Sequence, residues 1–318
     1  MLNKKNFLQG WVPYRLVAEN ERALVKWIYT ADIPFTEPFF DESLMALRSK
    51  NLTPARFHSV SGLESMAEWA KLFPYRSPRA VIFHVSRCGS TLLSQLLSLT
   101  RKHCVLSEVP FFDELLRPAF PNTVADIQNS MQAAYRLIAQ PRHGSEESVF
   151  LKTDSWHIFF AAFYRQLFPD ATFILLYRSP DEVLRSHQKM RGMHAVQGFI
   201  EPELFGFDSE KIAAISPDEY AALVLEKYLK AFKDLAASDK NTLLLDYNLG
   251  MERIMDKMAG QLNLKWEDEY RREMQERLKF HSKKPGVKFE ENEIFEKLPS
   301  FLEPARQAYR QLTATVVL

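Results

Sequence analysis

Glycine is scarce in this chain, at 10 of 318 residues. That excludes collagen-like repeats and glycine-rich linkers, and it makes each turn glycine informative. Cysteine is scarcer still, with only Cys88 and Cys104. Two cysteines make no disulfide framework, so a reducing, cytoplasmic setting is expected. They form no CxxC pair and no HExxH is present, so no metal site is expected either. No apolar run approaches the ~20 residues of a membrane span. The opening MLNKKNFLQGWVPYRL is basic but has no apolar core, so no signal peptide is expected. Net charge is also nearly absent: 41 basic residues against 40 acidic ones leave +1. No overall field draws the protein to nucleic acid or a membrane, so any anion site must be local. What remains is ordinary globular composition, 46% hydrophobic and 25% charged, in a chain long enough to bury a sizeable core.

Residues 1–78 show no clear period. Short helical stretches are expected at 20–30 and 62–73, with aromatic-rich loops between them. Trp11, Trp27, Phe35, Phe39 and Phe40 need burial, so 1–78 is expected to be an accessory region packed on a main domain of 79–318. From 79 onward, apolar runs alternate with helical patterns. Strands are expected at 80–85, 104–106, 149–152, 172–177 and 242–247. Helices are expected at 91–101, 124–139, 156–167, 180–190, 217–237, 251–263 and 267–279. Strands separated by helices imply an α/β, three-layer fold with a mostly parallel central sheet and right-handed crossovers. Ser179-Pro180-Asp181-Glu182 and Ser216-Pro217-Asp218-Glu219 both carry the signature of a helix start with a capping box.

Two constellations carry chemistry. Ser86-Arg87-Cys88-Gly89-Ser90-Thr91 lies between a strand and a leucine-rich helix. A turn feeding a helix N-terminus offers free N–H groups and a positive dipole end to an anion, with the Ser90 and Thr91 hydroxyls and the Arg87 charge added. Gly89 permits close approach of the backbone. The loop lacks the first glycine and the lysine of a Walker A motif. Taken alone, it reads equally as a capped strand–helix turn. The second constellation is Arg178, which closes the TFILLY strand, and Ser186, eight residues on in the next helix. A guanidinium and a hydroxyl at the C-terminal edge of a parallel sheet suit a phosphate group.

FHVSRCGSTLL resembles the 5′-phosphosulfate loop of sulfotransferases that use 3′-phosphoadenosine 5′-phosphosulfate (PAPS). LLYRSPDEVLRS resembles their 3′-phosphate motif, matched by Arg178 and Ser186. The likeness covers about residues 80–290. Its loop is nearer the tyrosylprotein-type and bacterial branches than the cytosolic aryl branch. The resemblance implies a P-loop-containing nucleotide hydrolase-like fold. It implies sulfuryl transfer from PAPS to a hydroxyl or amine of a small-molecule or peptide acceptor, releasing 3′-phosphoadenosine 5′-phosphate (PAP) without a metal. It assigns Arg87, Cys88, Gly89, Ser90, Thr91, Arg178 and Ser186 to the nucleotide. Ser282, Lys283 and Lys284 would then stand in a late basic loop over the 3′-phosphate, a stretch that also reads as a charged surface turn.

Arg87 and Lys152 are the positive groups expected on the transferring sulfuryl. Two carboxylates compete as base. Glu108 has the spacing from Arg87 found in the tyrosylprotein-type branch and is favoured. Asp154, in LKTD, occupies the place of the aryl branch's histidine. His157, His187 and His194 are further candidates, each also readable as a structural histidine. The loop 191–206 is expected to line or cover the acceptor site. Two other functions stay open: a P-loop phosphotransferase or kinase, and a non-catalytic nucleotide-binding protein on the same scaffold.

Overall fold

The computed structural model of the protein describes residues 7–19, 22–49, 59–117, 124–280 and 298–315. Its strands are β1 (Trp11–Glu19), β2 (Arg22–Tyr29), β3 (Ser59–Gly62), β4 (Ala80–His84), β5 (His103–Ser107), β6 (Ser148–Lys152), β7 (Thr172–Tyr177) and β8 (Thr242–Asp246). The architecture is α/β: a five-stranded parallel central sheet in the order β5-β6-β4-β7-β8 with helices around it, and a separate three-stranded sheet in the order β1-β2-β3. Among the described residues no helix is long and apolar enough to cross a membrane. The chain divides into two compact units, one of residues 1–79, 94–152 and 163–171, the other of residues 80–93, 153–162 and 172–318.

In the first unit, residues 22–29 form a strand where a helix is expected from 20–30. β2 pairs antiparallel with β1 from Trp11↔Tyr29 to Glu19↔Arg22, and Trp11 and Tyr29 pack ring to ring at 5.5 Å. The Val, Trp, Ile and Tyr side chains of RALVKWIY favour a pleated surface, and cross-strand pairing outweighs a weak helical preference. The expected helix at 62–73 is the helix Leu63–Ala70. Trp27, Phe35 and Phe40 are buried. Arg15 ties β1 to two neighbours, at 2.7 Å from Asp41 and 3.1 Å from Glu114. β5 and β6 lie parallel in register, His103↔Ser148 to Ser107↔Lys152.

In the second unit, β4, β7 and β8 are parallel neighbours, with Ala80 opposite Thr172 and Phe173 opposite Thr242. Every residue of β4 and β7 is buried. Their continuous apolar runs are what strands covered on both faces require. Each fully buried leucine or isoleucine there contributes roughly 1.5–3 kcal/mol. The expected helix 156–167 begins as a 3-10 turn, Ser155–Phe160, and becomes α-helical only at Ala161–Leu167. The two capping signatures diverge. Ser216 accepts from the Glu219 N–H as a cap, at 3.2 Å. Ser179 makes no side-chain cap and instead donates to Glu182 at 2.5 Å. Glu182 has a stronger claimant in Arg178, so the box does not close.

Candidate functional site

The loop after β4 is built on two left-handed residues. Arg87 has φ +65° and Gly89 φ +87°. An arginine in that region is strained, and such strain persists where the surroundings impose it. Gly89 is required twice over. Besides its positive φ, a Cβ there would lie 2.2 Å from the Tyr247 ring, so only a bare backbone fits against that aromatic. The helix Ser90–Leu97 starts directly after it, with Ser90 and Thr91 both buried. Its first N–H groups and dipole face the turn. Cys88 is a free, fully buried thiol, with Sγ 3.4 Å from the Leu176 carbonyl on β7. It acts as a small filler between loop and sheet.

β7 ends at Tyr177 and hands on Arg178. The guanidinium lies over the Tyr247 ring at 4.5 Å and donates to Glu182 at 2.8 Å. Its Nε is buried and has no hydrogen-bond partner among the described residues. An orphaned guanidinium donor at a strand's C-terminal end fits a phosphate oxygen. Seven residues of the helix Pro180–Lys189 bring Ser186 round to the loop, where its Oγ accepts from Arg87 Nε at 2.8 Å. The two constellations therefore meet. Burial, and then the charge of neighbouring Arg178, lower the pKa of Arg87 from its ordinary value. Two guanidinium groups held this close need an anion between them or a carboxylate beside them, and Glu182 serves one of them.

Asp154 belongs to the same unit and is buried at the head of the 3-10 turn. Its Oδ1 lies 3.3 Å from Nε2 of His194, also buried. His194 sits in the 191–206 loop, on the short turn Met193–Ala195. That loop rests on the anion loop: a Cβ on Gly192 would lie 2.8 Å from Ser86 Oγ. Ser86, His187, His194, Leu225 and Tyr228 line a small cavity beside it, open on one side.

Glu108 and Lys152 are found in the other unit, at the ends of β5 and β6. Lys152 is fully buried, with Nζ 2.7 Å from Glu108 Oε1 and 5.0 Å from the centre of the Phe39 ring. The Glu108 N–H donates to the Lys152 carbonyl at 2.8 Å, and Glu108 itself is left-handed at φ +52°. Sequence reasoning named both residues but not their pairing, which the parallel register of β5 and β6 creates. It also missed Tyr228, which carries no motif, and the contact of Tyr247 with Arg178, although TLLLDYNL resembles the family's later strand with an aromatic–acidic pair. Ser282, Lys283 and Lys284 lie outside the described residues.

A model of the sulfotransferase family matches residues 78–267, more than half of the chain. Among solved structures, the chain is similar to a sulfotransferase from Mycobacterium avium, with 14% identity, 80% of each chain covered and a TM-score of 0.46. It is similar to one from Alicyclobacillus acidocaldarius, with 16% identity, 64% of this chain and 94% of that one covered, and a TM-score of 0.40. It is also similar to a mouse sulfotransferase complexed with PAP, with 10% identity, 72% and 77% covered, and a TM-score of 0.38. No curated protein matches the chain. With the family model spanning the strand–loop–helix of the first constellation and the strand and helix of the second, the chain belongs to the sulfotransferase family.

Proposed function

We propose that the protein transfers the sulfuryl group of PAPS to a hydroxyl or amine of a small-molecule or peptide acceptor, releasing PAP. The observation that carries this is the meeting of the two constellations: Arg87 bonded to Ser186, with the buried, orphaned Nε of Arg178 beside Tyr247. In this reading the backbone of 86–91, with Ser90 and Thr91, holds the 5′-phosphosulfate. Arg178 and Ser186 hold the 3′-phosphate, and the Arg178 guanidinium lies over the Tyr247 ring. Ser282, Lys283 and Lys284 are proposed to close over that phosphate.

Sulfuryl transfer is an in-line displacement, so the protein must position the acceptor, remove its proton and neutralise charge on the leaving phosphate. Arg87 supplies charge at the loop. Lys152 is proposed for the transferring oxygens from its place at the end of a strand in the family's pattern. For the acceptor's proton, Glu108 is the first carboxylate to test and Asp154 the second, with His157, His187 and His194 as further candidates. Two buried, free cysteines fit a cytoplasmic protein.

Thermal melting with PAP, with ATP–magnesium and with neither tests the reading. A ligand at 100 times its Kd adds about 2.7 kcal/mol of stability. A rise with PAP alone is expected. A rise with ATP–magnesium alone turns the reading to a phosphotransferase, and no rise with either removes the nucleotide site.

A further inference from the structure

We infer that His194 is the proton acceptor of the reaction, with Asp154 as its positioning residue and the Tyr228 hydroxyl as the group that orients the acceptor. The inference rests on the sulfuryl-transfer reading and names the machinery of that site. Three observations carry it. Asp154 Oδ1 and His194 Nε2 lie 3.3 Å apart, both buried. A carboxylate on one ring nitrogen fixes the tautomer and leaves Nδ1 as the nitrogen that takes a proton. His194 lines one cavity with Ser86, the first residue of the anion loop. Tyr228 lines it too, and its hydroxyl is buried with no hydrogen-bond partner among the described residues. A buried phenol left unsatisfied is costly unless something else bonds to it. The hydroxyl of an acceptor reaching into the mouth of the cavity would be that partner. Glu108, by contrast, has its charge committed to the fully buried ammonium of Lys152.

The step balances. The acceptor O–H proton passes to Nδ1 of His194, and the acceptor oxygen forms a bond to sulfur. The bond between sulfur and the bridging oxygen of PAPS breaks, and PAP leaves with that electron pair. Asp154 stabilises the imidazolium that results. Asp154 faces the ring, and its charge also raises the pKa of Tyr228, after burial and Tyr220. His187 is the other titratable side chain lining the cavity.

The test uses the full chain with His194→Gln, Asp154→Asn, Tyr228→Phe and Glu108→Gln. Single-turnover conversion of PAPS to PAP is followed with 4-nitrophenol, tyramine, decanol and water as probes. His194→Gln is expected to lose roughly 10²–10⁴ in rate, the usual cost of removing a general base, while PAP affinity stays within about twofold. Tyr228→Phe is expected to raise KM for the acceptor while the melting temperature holds or rises, because a buried hydroxyl without a partner is removed. A structural tyrosine would lower stability and leave KM alone. If His194→Gln turns over normally while Glu108→Gln does not, the inference is overturned.

Histidine NMR titration supplies an arm that needs no turnover. Removing the carboxylate in Asp154→Asn is expected to lower the midpoint of the His194 ring. An unmoved midpoint overturns the pairing, including for a protein that binds PAP but converts none of the probes. If the wild type binds no PAP, the sulfuryl-transfer reading fails, while the titration still judges the pair.

Discussion

Arg87 Nε donates to Ser186 Oγ across 2.8 Å, joining the arginine of one loop to the serine of a helix nearly a hundred residues later. Neither residue is explained by its own neighbourhood. Arg87 is held left-handed at φ +65°, and Ser186 sits mid-helix, where serine adds little to helix stability. Together they would form one wall of the proposed anion site, with Arg178 as the other wall. Arg178→Ala is expected to weaken PAP binding roughly 10- to 150-fold, the loss of a charge-assisted bond worth about 1.5–3 kcal/mol. Ser186→Ala is expected to cost less, since Arg87 keeps its charge. Calorimetry giving both variants wild-type affinity would remove the 3′-phosphate assignment.

Gly89→Ala is expected to be strongly damaging. The position has φ +87° and faces the Tyr247 ring, a rigid aromatic that cannot swing aside as a long flexible side chain would. The strain costs about 1–3 kcal/mol. Moving the loop to relieve it also moves the N–H groups proposed to hold the phosphosulfate. A lower melting temperature together with lost PAP binding is expected. Full stability with lost binding would show that the loop relaxes freely and that shape alone was disturbed.

The strands of the parallel sheet could be read from sequence because burial on both faces writes continuous apolar runs. TFILLY predicts a strand over 172–177, and β7 has those bounds. The β1–β2 hairpin could not, because RALVKWIY mixes charged and apolar residues and its strand character comes from a partner. In the site, loop composition and the Arg178–Ser186 spacing were visible since both are local. The Asp154–His194 pair was not. Forty residues separate its members, and only the fold of the 191–206 loop brings them together. The Glu108–Lys152 pair was hidden for the same reason, although each residue was visible singly.

That pair makes a stability prediction of its own. Lys152 is fully buried, and its ammonium faces the Glu108 carboxylate at 2.7 Å. Removing one partner of a buried pair leaves an uncompensated charge and costs about 3–5 kcal/mol. Glu108→Gln is therefore expected to lower the melting temperature markedly, whatever it does to turnover. Replacing both residues together, Glu108→Leu with Lys152→Met, should recover much of the loss. If Glu108→Gln melts like the wild type, the pair does not carry that stability.

Acid should act on the site through Glu182. Burial pushes its pKa up, but hydrogen bonds from Arg178 and Ser179, with the charges of Arg178 and Arg185, outweigh burial and leave it below the ordinary carboxylate value. A carboxyl group depressed in the folded state contributes stability that is full above its unfolded pKa, near 4.5. That contribution is lost as pH falls through the folded value. Glu182→Gln should therefore be less stable than the wild type at neutral pH, and the two should converge as the pH falls through the lowered folded-state value of Glu182. The same carboxylate competes with phosphate for Arg178, so Glu182→Gln should also leave the guanidinium freer to bind an anion. PAP affinity is expected to hold or rise in the variant even as its neutral-pH stability falls. Melting curves from pH 3 to 7, with and without PAP, separate the two effects. A stability difference that stays constant across the whole range would show that Glu182 contributes through packing and not through its charge.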